Sequence, residues 1–281
     1  QDEIYDNAIG MDHFLSASGA FGELGPVNSL PYRVSFGYTD QDGVLESDNL
    51  KRITVAGSVN PTLFDDHLQV NLNAKYMNID NFFANRDAIG AALQYDPTKP
   101  ARLDEGVFAE RYGGYWAWLQ SNSVNPVGQG SANPVALLEQ KEDISTVNRF
   151  IGNAQFDYKF HFLPELRLNV NMGYDNSSSE GSVFIDTTAA YGYDPQTGGG
   201  TNNHYEQEKE NELLDIYLNY VKELSDIDSR IDMMAGYSWQ HFYYSDYSIN
   251  SDVNMTPERT DTVDNPTEYY LISFFGRLNY E

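Results

Sequence analysis

Across residues 150–175 the chain alternates between apolar and polar positions almost without interruption. Phe150, Gly152, Ala154, Phe156, Tyr158, Phe160 and Phe162 are apolar or small, while Ile151, Asn153, Gln155, Asp157, Lys159 and His161 between them are mostly polar. A two-residue period places successive side chains on opposite faces of a β-strand. After the tight Leu163-Pro164-Glu165 connection the pattern resumes, with Leu166, Leu168, Val170, Met172 and Tyr174 set against Arg167, Asn169, Asn171, Gly173 and Asp175. Two such arms predict an antiparallel hairpin. Both arms are far longer than the roughly five or six residues usual in soluble domains. One apolar face, one hydrophilic face and aromatic residues near the ends suit a transmembrane β-barrel. A long hairpin of a soluble β-sandwich or lectin alternates in the same way.

The same pattern recurs along the chain. A weakly alternating strand is expected over Met11–Phe21, with Leu15 and Ala17 against Ser16 and Ser18. Gly22, Gly25, Pro26 and Asn28 then lead into Tyr32, Val34, Phe36 and Tyr38, which alternate with Arg33, Ser35, Gly37 and Thr39. Asp40-Gln41-Asp42-Gly43 predicts a hairpin turn, because Asp-Gly favours the positive φ such turns need. Further strands are expected over Leu50–Val59, His67–Met77, Glu212–Lys222, Arg230–Phe242 and the run from Tyr270 to Tyr280. Between residues 78 and 146 the alternation lapses over a span too long for an ordinary loop, which marks it as functional or as a small excursion domain. It contains a candidate helical turn at Ala88–Leu93 and the segment Asn133–Glu139.

The connections fall into two classes by parity. Short ones are expected at 60–66, 163–165 and 223–228, and long ones at 78–146, 176–207 and 245–267. An up-and-down outer-membrane barrel produces this asymmetry, with short periplasmic turns at one rim and long extracellular loops at the other. A sandwich has no reason to keep it. The expected fold is therefore all-β: an antiparallel up-and-down transmembrane β-barrel segment with long extracellular loops, all 281 residues belonging to one barrel.

Composition is compatible with this picture. The mean hydropathy of −0.53 reflects a chain in which only alternate residues need be apolar. Cysteine is absent, which removes disulfides, thiolate metal sites and cysteine nucleophiles. With 17 basic and 42 acidic residues the net charge is −25, which repels nucleic acid and anionic membrane surfaces. The 21 tyrosines and 15 phenylalanines suit strands, aromatic girdles or sugar-stacking platforms. The opening Gln1-Asp2-Glu3-Ile4-Tyr5 has no basic and apolar leader, and Leu278-Asn279-Tyr280-Glu281 ends within an alternating run. The chain is read as an internal piece of a longer polypeptide.

His13-Phe14-Leu15-Ser16-Ala17-Ser18-Gly19, followed by Tyr32-Arg33-Val34-Ser35-Phe36-Gly37-Tyr38 and Gln41-Asp42-Gly43-Val44-Leu45, resembles the early barrel of SusC/RagA-type TonB-dependent transporters. Ala88-Ile89-Gly90-Ala91-Ala92, Tyr95-Asp96-Pro97-Thr98, Asn133-Pro134-Val135-Ala136-Leu137-Leu138 and Ile272–Tyr280 resemble later segments, in the same order. The resemblance implies a barrel of about 22 strands in the bacterial outer membrane, closed by an N-terminal plug. It implies a SusD-like surface lipoprotein as partner, TonB acting through the plug, and an oligosaccharide or peptide as cargo. The plug and the remaining strands are expected to lie outside this chain.

Candidate chemistry concentrates in the longest loop. Tyr112, Tyr115, Trp116 and Trp118 form an aromatic cluster suited to stacking on sugar rings, or to packing the loop against the barrel or the lid. Asp80, Asn81 and Arg86, with Asn85 and Asp87, could hydrogen-bond hydroxyl groups, although loop polarity accounts for them equally. Asp40, Asp42, Glu46 and Asp48 suggest loop calcium, but without EF-hand spacing an acidic hairpin is the simpler reading, so no cofactor is expected. The five histidines show no metal-ligand spacing, and no P-loop, GxSxG or HExxH motif occurs. No enzyme activity is expected. The competing reading is a secreted soluble β-sandwich that binds or cleaves glycans.

Overall fold

The computed structural model describes residues 3–23 and 25–281; Gln1 and Asp2, part of the leader reading, lie outside them. The chain forms one eleven-stranded antiparallel sheet. Its strands are β1 (Gly10–Phe21), β2 (Val27–Asp42), β3 (Asn49–Val59), the short β4 (Thr62–Leu63), β5 (Leu68–Phe82), β6 (Lys141–Lys159), β7 (Leu166–Ile185), β8 (Thr201–Leu224), β9 (Ser229–Asn250), the short β10 (Asp261–Asp264) and β11 (Thr267–Tyr280). Long strands pair with their long neighbours in chain order, as an up-and-down meander requires. Among the described residues β1 pairs only with β2, and β11 only with β9, so the sheet is open at both edges.

The register explains the alternation. One rung runs Gly19, Tyr32, Val59, Leu72, Ala154, Met172, Leu214, Trp239 and Ile272. A neighbouring rung on the other face runs Asn71, Gln155, Asn171, Asp215, Ser238 and Ser273. The apolar rungs stack into a continuous band across the sheet, and Phe36, Val55, Leu72, Phe150, Met172, Leu218 and Phe274 within it stay exposed. In water so large an apolar surface would be untenable. On β9 the band spans Ile231–Trp239, close to the roughly 9–11 residues a tilted strand needs to cross a bilayer. Phe156, Tyr158, Leu168, Val170, Leu218 and Ile231 all lie on this face, and Asn153, Gln155, Asn169 and Asn171 on the opposite one. The polar face also carries the cross-strand ion pairs Arg149–Asp175 (2.7 Å), Arg167–Asp157 (2.9 Å) and Arg277–Asp232 (3.3 Å). Among the described residues no helix is long and apolar enough to cross a membrane.

The connections alternate between the two ends, but the long ones are shorter than the sequence pattern suggests. The spans expected as loops at 78–146, 176–207 and 245–267 contract to 83–140, 186–200 and 251–266, the last containing β10. The strands continue past the apolar band: β8 has 24 residues and β9 has 22, and Glu206, Glu208 and Glu210 follow the apolar rungs on the same face. Beyond the band both faces meet water, so the ladder persists while the two-residue period disappears. Asp40-Gln41-Asp42-Gly43 is likewise no tight turn. β2 runs on to Asp42, and the chain reverses over 43–48, where Gly43 N donates to Asp48 O at 2.7 Å and Ser47 has φ 73°. Asp40 and Asp42 both accept from the Asn49 amide, at 3.1 and 2.8 Å.

Candidate functional site

The longest connection is a folded excursion with helices α1 (Asp87–Gln94), α2 (Gly106–Arg111) and α3 (Pro134–Glu139). Its core joins Ala84, Ala88, Tyr115, Val135, Ala136, Leu137 and Leu138 to Ile4 and Leu45 from the N-terminal region. Asn133 fixes α3. Its side-chain oxygen accepts from Val135 N (3.1 Å) and Ala136 N (3.3 Å), while its amide nitrogen donates to Ala101 O (2.5 Å) and Trp116 O (3.0 Å). Pro134 at the first helical position has no N–H to leave unpaired.

Within the aromatic cluster the side chains divide by burial. Tyr112 is 4% exposed and donates to Val124 O at 2.6 Å; Tyr115 is 8% exposed and donates to Glu139, which also pairs with Arg102. Burial, reinforced by Glu139, pushes the Tyr115 phenol up to about 12, so it remains a neutral donor. Gly113 and Gly114, at φ 62° and 83°, make the turn between these tyrosines, and a Cβ on Gly114 would collide with Asp104. Trp116 packs against Tyr95, Phe108 and Trp118, with the Trp116 and Trp118 rings edge to face at 4.7 Å. Lys99 Nζ lies 5.7 and 5.9 Å from the two indoles. Trp118 is 36% exposed.

A cavity of about 640 Å³ opens between the excursion and the 186–200 connection. Tyr115, Trp116 and Trp118 line it, facing Ala190, Tyr191, Tyr193 and Pro195. Tyr112, Asp80, Asn81 and Arg86 do not line it. Asp80 lies on the face of β5 that carries Tyr76 and accepts from Thr146 at 2.8 Å; Asn81 is on the opposite face, and Arg86 precedes α1. Ser131, Tyr191 and Tyr193 also line it, although no motif in the sequence marks them. Gln140 ties the walls together by donating to Thr188 O at 3.3 Å. The second wall is also held from behind, where Arg259 donates to Asp194 (3.1 Å) and Gln196 (2.5 Å). Backbone N–H groups of Gln196 and Thr197, with Arg259, hold the Asp194 carboxyl below its ordinary range.

Among the described residues, Glu210, Glu212 and His241 bring one potential metal-ligating atom each within 4.8 Å of the others. Both His241 ring nitrogens are already engaged, by Glu212 at 3.0 Å and Glu268 at 2.9 Å.

No family model matches the chain. Over its whole length it is 36% identical to the TonB-dependent receptor SusC of Bacteroides thetaiotaomicron and 26% identical to a TonB-dependent receptor of Formosa agariphila. It spans 28% and 27% of their respective lengths. A solved structure of the RagAB peptide importer superposes on 99% of the chain with a TM-score of 0.69 at 15% identity, covering 31% of the matched chain. The chain is thus a homologue of part of the TonB-dependent receptor SusC, and its sheet has the fold of an outer-membrane TonB-dependent barrel.

Proposed function

We propose that the chain is the barrel segment of a TonB-dependent importer that takes up a large nutrient, an oligosaccharide or a peptide, beneath a SusD-like surface lipoprotein. The observation that carries this reading is the polarity of the sheet. A continuous apolar band separates an end of short turns from an end bearing the folded excursion and its cavity. In this reading the short turns are periplasmic and the excursion is extracellular, where cargo arrives and a lid would dock. The apolar band meets lipid, and the rungs with Asn153, Gln155, Asn169 and Asn171 face the lumen. TonB acts through a plug elsewhere in the polypeptide. Similarity to SusC over the full chain supports the assignment, and the superposed importer carries peptides. Trp116 and Trp118 are the cargo contacts among the aromatic residues; Tyr115 lines the same cavity and Tyr112 supports it from behind.

The test is fractionation and uptake with the full-length protein. It is expected in the outer membrane, extracted only by detergent, in complex with a surface lipoprotein, and its uptake activity should vanish in cells lacking TonB. Purification as a folded protein without detergent would overturn the reading in favour of a soluble glycan-binding sandwich.

A further inference from the structure

A separate group of ionisable side chains is assembled by strand pairing on the outward face of the sheet, away from the cavity. Glu210 and Glu212 are two residues apart on β8 and share a face; His241 on β9 stands opposite Glu212, and Tyr270 on β11 opposite His241. The next rung on that face, toward the short turns, is Leu214, Trp239 and Ile272, so the group sits one rung beyond the apolar band. One oxygen of each glutamate and one ring nitrogen of His241 lie within 4.8 Å of one another. His241 is 9% exposed and its ring is held on every side: Nδ1 faces Glu212 at 3.0 Å, Nε2 faces Glu268 at 2.9 Å, and the ring stacks on Tyr270 at 4.5 Å. Tyr270 donates to Glu268, and Tyr174 donates to Glu210 at 3.0 Å. Three carboxylates thus converge on one imidazole, and among the described residues no Lys or Arg forms an ion pair with any of them. Even a protonated ring leaves two negative charges uncompensated, which points to a cation.

We propose that Glu210, Glu212 and His241 bind a zinc ion, with His241 coordinating through Nδ1 while Glu268 holds Nε2 from behind. A nitrogen ligand sets aside calcium and magnesium, which take oxygen, and suits zinc, whose sites combine imidazole with carboxylate. Zinc bonds of about 2.0–2.2 Å place tetrahedral ligands roughly 3.4 Å apart, so small rotations of the two glutamates close the set. A carboxylate on the far ring nitrogen fixes the orientation of a ligating histidine and raises its basicity. The ion displaces the proton between Nδ1 and Glu212, which leaves to solvent, and its charge offsets the excess of carboxylates. The ligands come from β8 and β9, and Glu268 from β11, so the ion ties three strands together where they leave the apolar band. On this outward face it takes no part in cargo capture, and it goes beyond the importer reading.

The experiment is equilibrium dialysis of the full-length protein in detergent, stripped of metal by chelation, against zinc in the presence of excess calcium and magnesium. The wild type is expected to hold one zinc ion that His241→Gln and Glu212→Gln each lose or bind at least about tenfold more weakly. Glu268→Ala, which removes only the outer partner of the histidine, should weaken zinc about tenfold. Glu206→Gln, an acidic neighbour on the same face outside the group, should leave it unchanged. Cobalt in place of zinc should give visible absorption bands that His241→Gln abolishes. Zinc binding equal in the wild type, His241→Gln and Glu212→Gln would overturn the proposal, as would displacement of the ion by calcium or an equal loss in Glu206→Gln. Should His241→Gln fail to assemble, Glu212→Gln and Glu268→Ala decide the outcome by the same measurement.

Discussion

Asn133 shows how much of the excursion depends on one amide. Its oxygen caps α3 and its nitrogen satisfies the carbonyls of Ala101 and Trp116, so one side chain pins three segments. Asn133→Ala removes a cap worth about 0.5–2 kcal/mol and the donor to the Trp116 carbonyl, whose loss costs about 1–3 kcal/mol, whereas Ala101 O keeps the Trp116 N–H at 3.2 Å. The expected result is faster proteolysis within residues 95–130 of the full-length protein in membranes, with barrel assembly unchanged. Asn133→Asp keeps the cap but loses the donor, so it should be cleaved faster than the wild type and more slowly than the alanine variant. A protease pattern identical to the wild type would show that the amide does not hold the loop. At this scale the sequence was legible in residue type but not in role. Tyr112-Gly113-Gly114-Tyr115-Trp116-Ala117-Trp118 announces an aromatic cluster, yet which rings are buried depends on partners such as Glu139 and Val124, set only by tertiary folding. Ser131 and Tyr191 carried no local signal at all.

For single strands the alternation was nearly sufficient. Phe156 pairs with Val70 and Val170, and Asn153 with Asn73 and Gly173 on the other face, as the two-residue period requires. Phe156→Arg is expected to cost about 2–4 kcal/mol near the bilayer midplane and to lower the amount of assembled full-length protein in the outer membrane. Asn153→Arg, on the opposite face, should leave assembly near the wild-type level. Equal assembly of the two variants would show that the lipid and lumen faces are wrongly assigned. Strand ends were the part that pattern could not reach. Residues 201–211 of β8 have polar side chains on both faces, with Glu206 opposite Glu180 and Tyr247, so hydrogen-bonded ladder and solvated loop look alike in sequence.

For the whole molecule, parity of connection length identified the architecture before any single motif did, because it depends only on where strands begin and end. The charge of the chain acts at the same scale. A net −25 produces a field that slows the approach of anionic solutes and leaves neutral ones unaffected. If cargo is a neutral oligosaccharide, its association rate with the full-length transporter should not change between 10 and 150 mM salt, where the screening length falls from about 30 to about 8 Å. A sulfated analogue should associate more slowly at low salt and recover as salt rises; stopped-flow fluorescence would read both. A salt-dependent rate for the neutral sugar would mean that charge, not the aromatic wall, governs capture.

The core of the excursion has a further consequence, for assembly order. Ile4 precedes β1 and Leu45 lies between β2 and β3, while Val135 to Leu138 follow five strands. That core cannot close until segments separated by more than a hundred residues have reached the same side of the membrane. Contacts of such high sequence separation form late. The excursion is therefore expected to order fully only when the chain ahead of β1, the 43–48 reversal and residues 84–138 have come together at the same end of the sheet.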